Sequence, residues 1–274
     1  MEKRLKGLEN GFEGFQLRSI AVASGKGGVG KTSITVNLGL ALASLGKRVI
    51  VVDGDVSMAN LGLTLGIDRA PISIQNVLSG EVGVGEAVYE GPGGLRFVPA
   101  SLSDKSRADG RKLKSAVAEL EQSADFVLVD NPSGLGVDSD CALKSCKEVL
   151  LVCTPEPASL ADCLKVKKAA DRAGVKTVGV VCNMSTGDKS EISPADLETV
   201  FEARVLAVIP FDAGVRRASA RQVPVFIADP RSPFSTAMLG LAGALSGERL
   251  PPRRLQAGFL AGLLGFFRRL LHHS

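Results

Sequence analysis

The sequence predicts an α/β fold, a doubly wound and mostly parallel sheet with helices on both faces. From Ile20 onward, short apolar β-branched segments alternate with longer amphipathic segments, which is the pattern of strand–helix repeats. The short segments are continuously hydrophobic, as expected for strands buried on both faces. A chain of 274 residues is long enough for one large domain with a sizeable core.

Seven strands, four helices and one main domain are predicted in chain order. The strands are SIAVAS (19–24), RVIVVD (48–53), LRFVPA (95–100), DFVLVD (125–130), EVLLVC (148–153), TVGVVCN (177–183) and RVLAVIP (204–210). The helices are Lys31–Leu45, Ser103–Gln122, Ala158–Ala173 and Pro194–Glu202. No change in composition divides residues 19–246, so we expect one domain there. The remaining parts are an N-terminal extension (1–18), a proline-containing linker (247–256) and a separate amphipathic helix (257–272).

The charge distribution argues against nucleic acid as a partner. The last 27 residues carry five arginines and one glutamate, whereas the rest of the chain has 28 basic and 28 acidic residues. A neutral body lacks the broad basic surface that nucleic acid binding requires. With no Trp and one Tyr, a base-stacking surface is not expected either.

The cysteines and histidines exclude several kinds of site. The five cysteines form no C-x-x-C pair, and buried reduced thiols are expected. The only histidines, His272 and His273, lie at the end of the sequence, which excludes most histidine-based catalysis. Neither a signal-peptide core nor a run of roughly 18 apolar residues long enough to span a membrane is present. We therefore expect a cytoplasmic protein.

The segment SGKGGVGKTS (24–33) contains the phosphate-binding P-loop pattern, Gly-x₄-Gly-Lys-Thr. It follows the first predicted strand and opens the first predicted helix, as the motif requires. Glycines let backbone N–H groups surround phosphate oxygens, and the helix N-terminus adds the positive end of its dipole. Lys31 is placed to reach the β- and γ-phosphates, and the Thr32 hydroxyl to bind Mg²⁺. The predicted nucleotide-binding residues of this loop are Gly25, Lys26, Gly27, Gly28, Val29, Gly30, Lys31, Thr32 and Ser33.

Three aspartates stand at the ends of predicted strands. Asp53 and Asp55 end the second strand, and Asp130 ends the fourth at the Walker B position. Ligands of parallel sheets gather at these strand ends, and three carboxylates there require a cation. A Mg²⁺ ion is therefore expected at this edge of the sheet, beside the Thr32 hydroxyl. For any single aspartate, capping of a turn or helix is the alternative.

The loop KGGVGKT adds a second lysine, Lys26, and thereby resembles the deviant P-loop of the MinD/ParA ATPases, the SIMIBI class. The resemblance implies that Lys26 reaches across an ATP-dependent homodimer to the partner's phosphates and acts in catalysis with Lys31. It also implies that Asp55 lies in the first switch and holds the attacking water. By the same resemblance, Thr32, Asp53 and Asp130 form the Mg²⁺ site. A solvated loop lysine is the alternative for Lys26.

Further residues are matched to this family with less specificity. The resemblance implies adenine contacts from Asn183, Pro210 and Asp212, and ATP is favoured because no guanine-reading N-K-x-D is present. A loop asparagine without ligand is the alternative for Asn183. In the segment DNPSG, Asn131 and Ser133 depart from the usual family pattern, which leaves the contacts of the second switch open.

The segment AGFLAGLLGFFRRLLHHS (257–274) predicts a short amphipathic helix. At about 100° per residue its large apolar side chains fall within an arc of about 160°. Such a helix is too short to span a bilayer and suits the surface of an anionic membrane; docking on the protein's own core is the alternative. The predicted membrane residues are Phe259, Leu260, Leu263, Leu264, Phe266, Phe267, Arg268, Arg269, Leu270 and Leu271.

The resemblance to MinD, with archaeal-type members closest in VVDGDVSMANLGLTLG (51–66), covers roughly residues 19–271. It implies a slow, Mg²⁺-dependent and partner-stimulated ATPase that dimerises on ATP and binds the inner face of the cell membrane. Hydrolysis would release it, and the cycle would position the division site or polar machinery. A partner of MinC or MinE type, or an unrelated cargo protein, is implied. The alternatives are a flagellum-placement ATPase, a ParA-like ATPase that partitions DNA or cargo, and a non-hydrolysing scaffold.

Overall fold

The computed structural model describes residues 18–56, 58–67, 70–101 and 109–248. The predicted membrane helix (257–272), almost all of the predicted linker and residues 1–17 of the predicted extension lie outside these ranges. The division of the chain into an extension, a domain, a linker and a tail therefore stays a prediction.

Eight strands in the described ranges form one sheet in the order β3-β4-β2-β5-β1-β6-β7-β8. All neighbouring pairs are parallel except β3 and β4, which pair antiparallel. The strands are β1 (Arg18–Ala23), β2 (Val49–Asp53), β3 (Tyr89–Glu90), β4 (Arg96–Val98), β5 (Phe126–Asp130), β6 (Glu148–Cys153), β7 (Lys176–Ser185) and β8 (Val205–Pro210). The predicted fold class is confirmed, and β1 lies centrally, where the winding direction reverses.

Helices cover both faces of the sheet and enclose one apolar core on each. They are α1 (Lys31–Ser44), α2 (Leu61–Thr64), α3 (Ile74–Ser79), α4 (Leu113–Leu120), α5 (Val137–Lys144), α6 (Pro157–Ala173), α7 (Pro194–Phe201), α8 (Ala213–Ala220), α9 (Val225–Ala228) and α10 (Pro233–Ser246). Apolar residues of α1, α9 and α10 pack on one face. Those of α3, α4, α6 and α7 pack on the other. Side chains of β1 such as Ile20 and Ala21 alternate between the two cores, which explains why the strands are apolar without interruption.

The predicted strand ends agree with the structure to within two residues, but two other boundaries are wrong. Arg18, assigned to the extension, belongs to β1, because its backbone pairs with β5 and its guanidinium contacts Glu148 at 2.7 Å. Within the described part of the predicted helix Ser103–Gln122, residues 109–122, the α-helix runs over Leu113–Leu120, with 3₁₀ turns at Gly110–Lys112 and Glu121–Ser123. A capping hydrogen bond at 3.1 Å, from the Arg111 N–H to the Asp109 carboxylate, marks where this helical region begins.

The sequence analysis missed α10, although it covers both α1 and β8. Its residues are mostly small or apolar all around the helix, PFSTAMLGLAGALS, so no polar face produces a helical period. The available signal was local. Ser232 caps the helix by accepting a hydrogen bond from the Ser235 N–H at 3.1 Å, and Pro233 takes the first helical position, a combination typical of helix starts.

Candidate nucleotide-binding site

The P-loop runs from the end of β1 into α1 at the carboxyl end of the sheet. Gly28 and Gly30 have φ angles of 80° and 86°, a left-handed conformation that glycine adopts without strain. These angles turn the chain so that α1 starts at Lys31 with Gly30 as its N-cap. Its backbone donors are therefore arranged as phosphate binding requires.

Gly25 serves a packing purpose as well as its predicted role in the loop. A Cβ atom at this position would lie 2.1 Å from the backbone carbonyl carbon of Asp162 in α6. A side chain would therefore push the loop and α6 apart. The first glycine of the motif thus fixes the loop against a helix 130 residues further along the chain.

Thr32 and Asp130 are brought together as predicted. The Thr32 hydroxyl donates a hydrogen bond to Asp130 Oδ2 at 2.5 Å, and the Thr35 hydroxyl contacts Asp130 Oδ1 at 3.2 Å. Asp130 is buried, and burial raises the pKa of its carboxyl, while the charge of Lys31 and the two hydroxyl hydrogen bonds act in the opposite direction. Lys31 is therefore close enough to Asp130 for direct electrostatic interaction.

Asp53 lies beside Asp130, because the two residues are paired across β2 and β5. Burial, followed by the charge of Asp130, raises the pKa of Asp53 to about 8, and the charge of Asp55 adds to this effect. The Asp53 carboxylate accepts hydrogen bonds from the Asp55 N–H at 3.1 Å and the Leu61 N–H at 3.2 Å. Asp53 thus holds the segment after β2, the predicted first switch, and the start of α2. The alternative that this aspartate caps a turn or helix is therefore correct in part.

These oxygens fit a magnesium ion supplemented by other ligands. A hydroxyl and carboxylates are the donors that Mg²⁺ prefers, and Mg²⁺ usually keeps water and substrate phosphate as further ligands. Within the described residues, no group of three or more His, Cys, Asp or Glu side chains is arranged to hold a metal alone. The residues that would contribute to such a site are Thr32, Asp53 and Asp130, the three predicted from the sequence.

A hydrogen-bond network, which the sequence analysis did not predict, connects the P-loop to the loop after β5, the predicted second switch. The Asn131 side-chain amide donates to the Ser139 hydroxyl at 2.8 Å, and that hydroxyl donates to the Gly134 carbonyl at 2.8 Å. The Gly134 N–H then donates to the Ser24 carbonyl at 3.2 Å, and the Ser24 hydroxyl to the Lys26 carbonyl at 2.9 Å. Asn131, one of the two residues that depart from the family pattern, is thus the buried start of this network.

Lys26 itself is exposed on the loop. Its side chain makes no hydrogen bond or ion pair with any described residue, so its ammonium group is available to a phosphate outside the protomer. The solvated-lysine alternative is compatible with the same geometry.

Asn183 contacts the P-loop directly. Its side-chain amide donates to the Val29 carbonyl at 2.7 Å, and both residues are only 4% exposed. A Cβ on Gly30 would lie 2.5 Å from the same amide nitrogen. Asp212 follows β8 and caps α8 by accepting from the Gly214 N–H at 2.7 Å, while its other carboxylate oxygen is buried without a partner. The predicted adenine contacts of Asn183, Pro210 and Asp212 stay predictions.

Comparison with known proteins decides the family. Residues 20–225 match the model of the CobQ/CobB/MinD/ParA nucleotide-binding domain. The chain belongs to this family. An ATP-binding protein of Methanocaldococcus jannaschii is 36% identical over 84% of this chain and 88% of its own length. The antiactivator FleN of Pseudomonas aeruginosa is 32% identical over 93% of each chain.

Solved structures place the protein with MinD inside the CobQ/CobB/MinD/ParA family. The cell division ATPase MinD of Pyrococcus furiosus has a TM-score of 0.81 and 36% identity, covering 85% of this chain and 99% of its own. MinD of Pyrococcus horikoshii, complexed with Mg-ADP, has a TM-score of 0.80 and 35% identity over 83% and 95%. In Aquifex aeolicus a MinC:MinD complex is known, with a TM-score of 0.76 and 30% identity over 87% and 100%. The predicted resemblance to MinD is confirmed.

The sequence analysis made two predictions about the membrane: no spanning helix, and a membrane-surface helix in the tail. No helix in the part of the chain that the structure describes is long and apolar enough to cross a bilayer. The ten predicted membrane residues, from Phe259 to Leu271, lie outside that part.

Proposed function

We propose that this MinD-family protein is a Mg²⁺-dependent ATPase that dimerises on ATP and binds the membrane surface through residues 257–272. Hydrolysis then releases it. The observation that carries the proposal is the contact between Thr32 and Asp130 at the start of the P-loop helix, with Lys31 next to them. The relative in complex with Mg-ADP supports the choice of ligand.

Different residues of the chain bind the phosphates, the cation and the attacking water in phosphoryl transfer. The backbone donors of the loop and Lys31 bind and orient the β- and γ-phosphates. Mg²⁺, when bound, neutralises charge that develops on the phosphate oxygens. Thr32 would hold the ion through a lone pair of its hydroxyl oxygen while its O–H still donates to Asp130, so Asp130 would orient this ligand. Asp55, fixed at the end of β2, holds the attacking water.

Lys26 makes hydrolysis depend on assembly. Because its side chain is exposed, it reaches the phosphates of a second protomer, and a dimer completes both sites. The network from Asn131 through Ser139 and Gly134 to Ser24 holds the backbone of Lys26. The contact with the partner is therefore coupled to the second switch.

Dimerisation gives the membrane helix its dependence on ATP. A single short amphipathic helix binds lipid weakly, whereas two helices on one particle gain about 10²- to 10⁴-fold through effective concentration. The ATP-bound dimer would therefore stay on an anionic membrane, and the monomer would leave it. This cycle would position the division site or polar machinery, with a partner of MinC or MinE type or another cargo protein.

One relative favours a second candidate function. FleN, an antiactivator, aligns over 93% of both chains, a larger share than the Methanocaldococcus relative covers. An ATPase that controls another protein, as the flagellum-placement alternative requires, is therefore retained. It shares the same ATP-dependent dimer.

The experiment compares ATP hydrolysis and co-sedimentation with anionic vesicles, in ATP and in ADP. Lys26→Ala should abolish both dimerisation and ATP-dependent pelleting, whereas the control Lys114→Ala, at another exposed lysine, should not. Asp55→Ala should stop hydrolysis and leave the protein on the vesicles. Pelleting that is equal in ATP and ADP, or unaffected by Lys26→Ala, would contradict the proposal.

The tail is tested with charge-matched variants. Leu263→Glu/Phe267→Glu places two charges on its apolar face, and Ala261→Glu/Gly265→Glu places them on the other face. Only the first pair should abolish pelleting in ATP. Equal loss in both variants would show that charge alone, and not the apolar face, decides binding.

A further inference from the structure

The strands β7 and β8 end at the same edge of the sheet as β1, which leads into the P-loop. β7 lies two strands from β1 and β8 lies three, which is about 10 Å and 14 Å at the usual spacing. The predicted adenine contacts, Asn183, Pro210 and Asp212, belong to these two strand ends. A nucleotide whose phosphates lie at the P-loop would therefore direct its base toward β7 and β8.

Phe211 follows the last residue of β8, on the face of the sheet that α1 covers. Ile209 packs in the same core as α1, and side chains two residues apart along a strand share a face. The Phe211 N–H donates to the Ser185 carbonyl at 2.8 Å, so its backbone is held against the end of β7. Its side chain is 64% exposed. The ring therefore has room to contact a ligand at this edge.

Asn183 shows that this face of the sheet leads to the P-loop. Its side-chain amide donates to the Val29 carbonyl at 2.7 Å, and Val29 packs in the core that α1 covers. Ile209, on the adjacent strand, belongs to that core as well. Asn183 and Phe211 therefore lie on one side of the sheet, at the ends of neighbouring strands.

Met184 brings a second apolar group to the P-loop. Its φ angle is 61°, a strained conformation for a residue other than glycine. The other described non-glycine residues with a positive φ, Glu202 and Gln222, follow helix ends, where this conformation is common. Met184 instead lies inside β7, and its Cε is 3.5 Å from the position of a Cβ on Gly30. The strained turn thus places the thioether against the start of α1.

An aromatic ring and a thioether suit a base better than a phosphate or a metal ion. Neither group carries a charge, and neither donates a strong hydrogen bond. Every base has a π face that stacks on an aromatic side chain whatever its identity. The flexible thioether of methionine fills irregular apolar gaps. The part of a nucleotide that fits these two side chains is therefore the base.

We propose that Phe211 and Met184 form an apolar slot for the purine base of the bound nucleotide, with the Phe211 ring stacked on the base. The inference is carried by the common face of Asn183 and Phe211, the exposure of the Phe211 ring, and the strained Met184 beside Gly30. Because stacking does not distinguish the bases, the slot raises the affinity for adenine and guanine nucleotides alike. The inference rests on the nucleotide binding in the proposed function and adds the contact that holds the base.

The experiment measures the binding of Mg-ADP, Mg-GDP and Mg-pyrophosphate to the full chain by titration calorimetry. Phe211→Ala should raise the Kd for ADP by about 5- to 100-fold, as the loss of one stacked base does. The ratio of the Kd values for ADP and GDP should not change. The Kd for pyrophosphate, which has no base, should stay within about twofold of that of the unchanged protein.

Matched variants separate the ring from other properties of the position. Phe211→Tyr keeps an aromatic ring and should bind ADP like the unchanged protein. Val200→Ala truncates another exposed apolar side chain, on α7, and should bind all three ligands normally. Met184→Ala should weaken ADP binding by about fourfold, as the loss of one buried methylene-sized group does, and leave pyrophosphate binding unchanged.

Four results would overturn the inference. The first is an ADP affinity of Phe211→Ala within twofold of that of the unchanged protein. The second is an equal loss of ADP and pyrophosphate binding in Phe211→Ala or Met184→Ala, which would show that the residue supports the loop. The third is a changed ratio of ADP to GDP affinity in Phe211→Ala, which would indicate recognition of the base edge. The fourth is a lower ligand-free thermal midpoint for Phe211→Ala, which would show that the ring packs on the protein.

The unchanged protein and Lys31→Ala distinguish this inference from the proposed function. Lys31→Ala should weaken the binding of ADP and pyrophosphate together, because it removes a phosphate contact. If it does so while Phe211→Ala binds ADP normally, only the inference about the slot fails. If the unchanged protein binds neither ligand, the proposed ATPase fails at nucleotide binding, and this inference fails with it.

Discussion

Asn183→Ala tests whether the asparagine after β7 supports the P-loop before any nucleotide binds. In the structure its amide donates to the Val29 carbonyl at 2.7 Å, and both groups are almost fully buried. The substitution leaves that carbonyl unpaired, which costs about 1–3 kcal/mol. It also removes the atoms that fill the space beside Gly30. The nucleotide-free protein should therefore be less stable by about this amount.

Urea unfolding of the nucleotide-free protein measures the effect. With a slope of roughly 3 kcal/mol per molar urea for a domain of this size, the midpoint should fall by about 0.3–1 M. Asn60→Ala is the control, since Asn60 is exposed and its side chain makes no capping hydrogen bond; its midpoint should change little. An unchanged midpoint for Asn183→Ala, together with weaker ATP binding, would refute this reasoning and leave adenine contact as the role of the residue.

Three further outcomes are expected. Thr32→Val should raise the Mg²⁺ concentration needed for half-maximal ATP hydrolysis by about 10- to 100-fold. Thr32→Ser keeps the hydroxyl, and its Mg²⁺ titration should stay close to that of the unchanged protein. Gly25→Ala should lower the free energy of unfolding by about 3 kcal/mol or more, because its Cβ would lie 2.1 Å from the backbone of α6. Gly28→Ala, whose Cβ would meet no atom within 4 Å, should lower it by about 1 kcal/mol because of its positive φ. Equal losses of stability in denaturant unfolding would contradict the close approach at Gly25. The hydrogen bonds from Arg48 lower the pKa of Asp125. This pair therefore stabilises the fold above about pH 4, and its contribution is lost as the pH falls through the depressed pKa. Asp125→Asn should make the free energy of unfolding depend less on pH on the acid side, and an unchanged pH dependence would show that the pair contributes nothing.

Local patterns predicted those parts of the site in which one segment determines its own geometry. The P-loop is such a segment, because Gly28, Gly30 and the start of α1 are contiguous. The proximity of Asp53 to Asp130 also followed from the sequence, since parallel strands end at the same edge of the sheet. In both cases chain order and strand polarity were sufficient.

Contacts between distant segments were not predictable in the same way. Nothing in the sequence pairs Asn131 with Ser139, or Gly25 with α6, because these contacts exist only after the sheet has brought the segments together. The helix α10 was missed for a different reason: small and apolar residues occupy most of its positions, so it lacks a polar face. For Asn183, its position was predicted near the nucleotide, but its bond to Val29 was not.

The P-loop and the end of α10 lie at opposite ends of β1. This strand has six residues, about 20 Å at the usual rise, between the P-loop and Arg18, whose guanidinium donates to the Leu245 carbonyl near the end of α10. All of its residues after Arg18 are buried. In the proposed cycle, ATP therefore has no direct contact with the predicted membrane helix, which follows α10 in the sequence, and acts by changing the number of these helices per particle. The fraction of the protein on the membrane would then rise more steeply with protein concentration than for a protein that binds through a single helix.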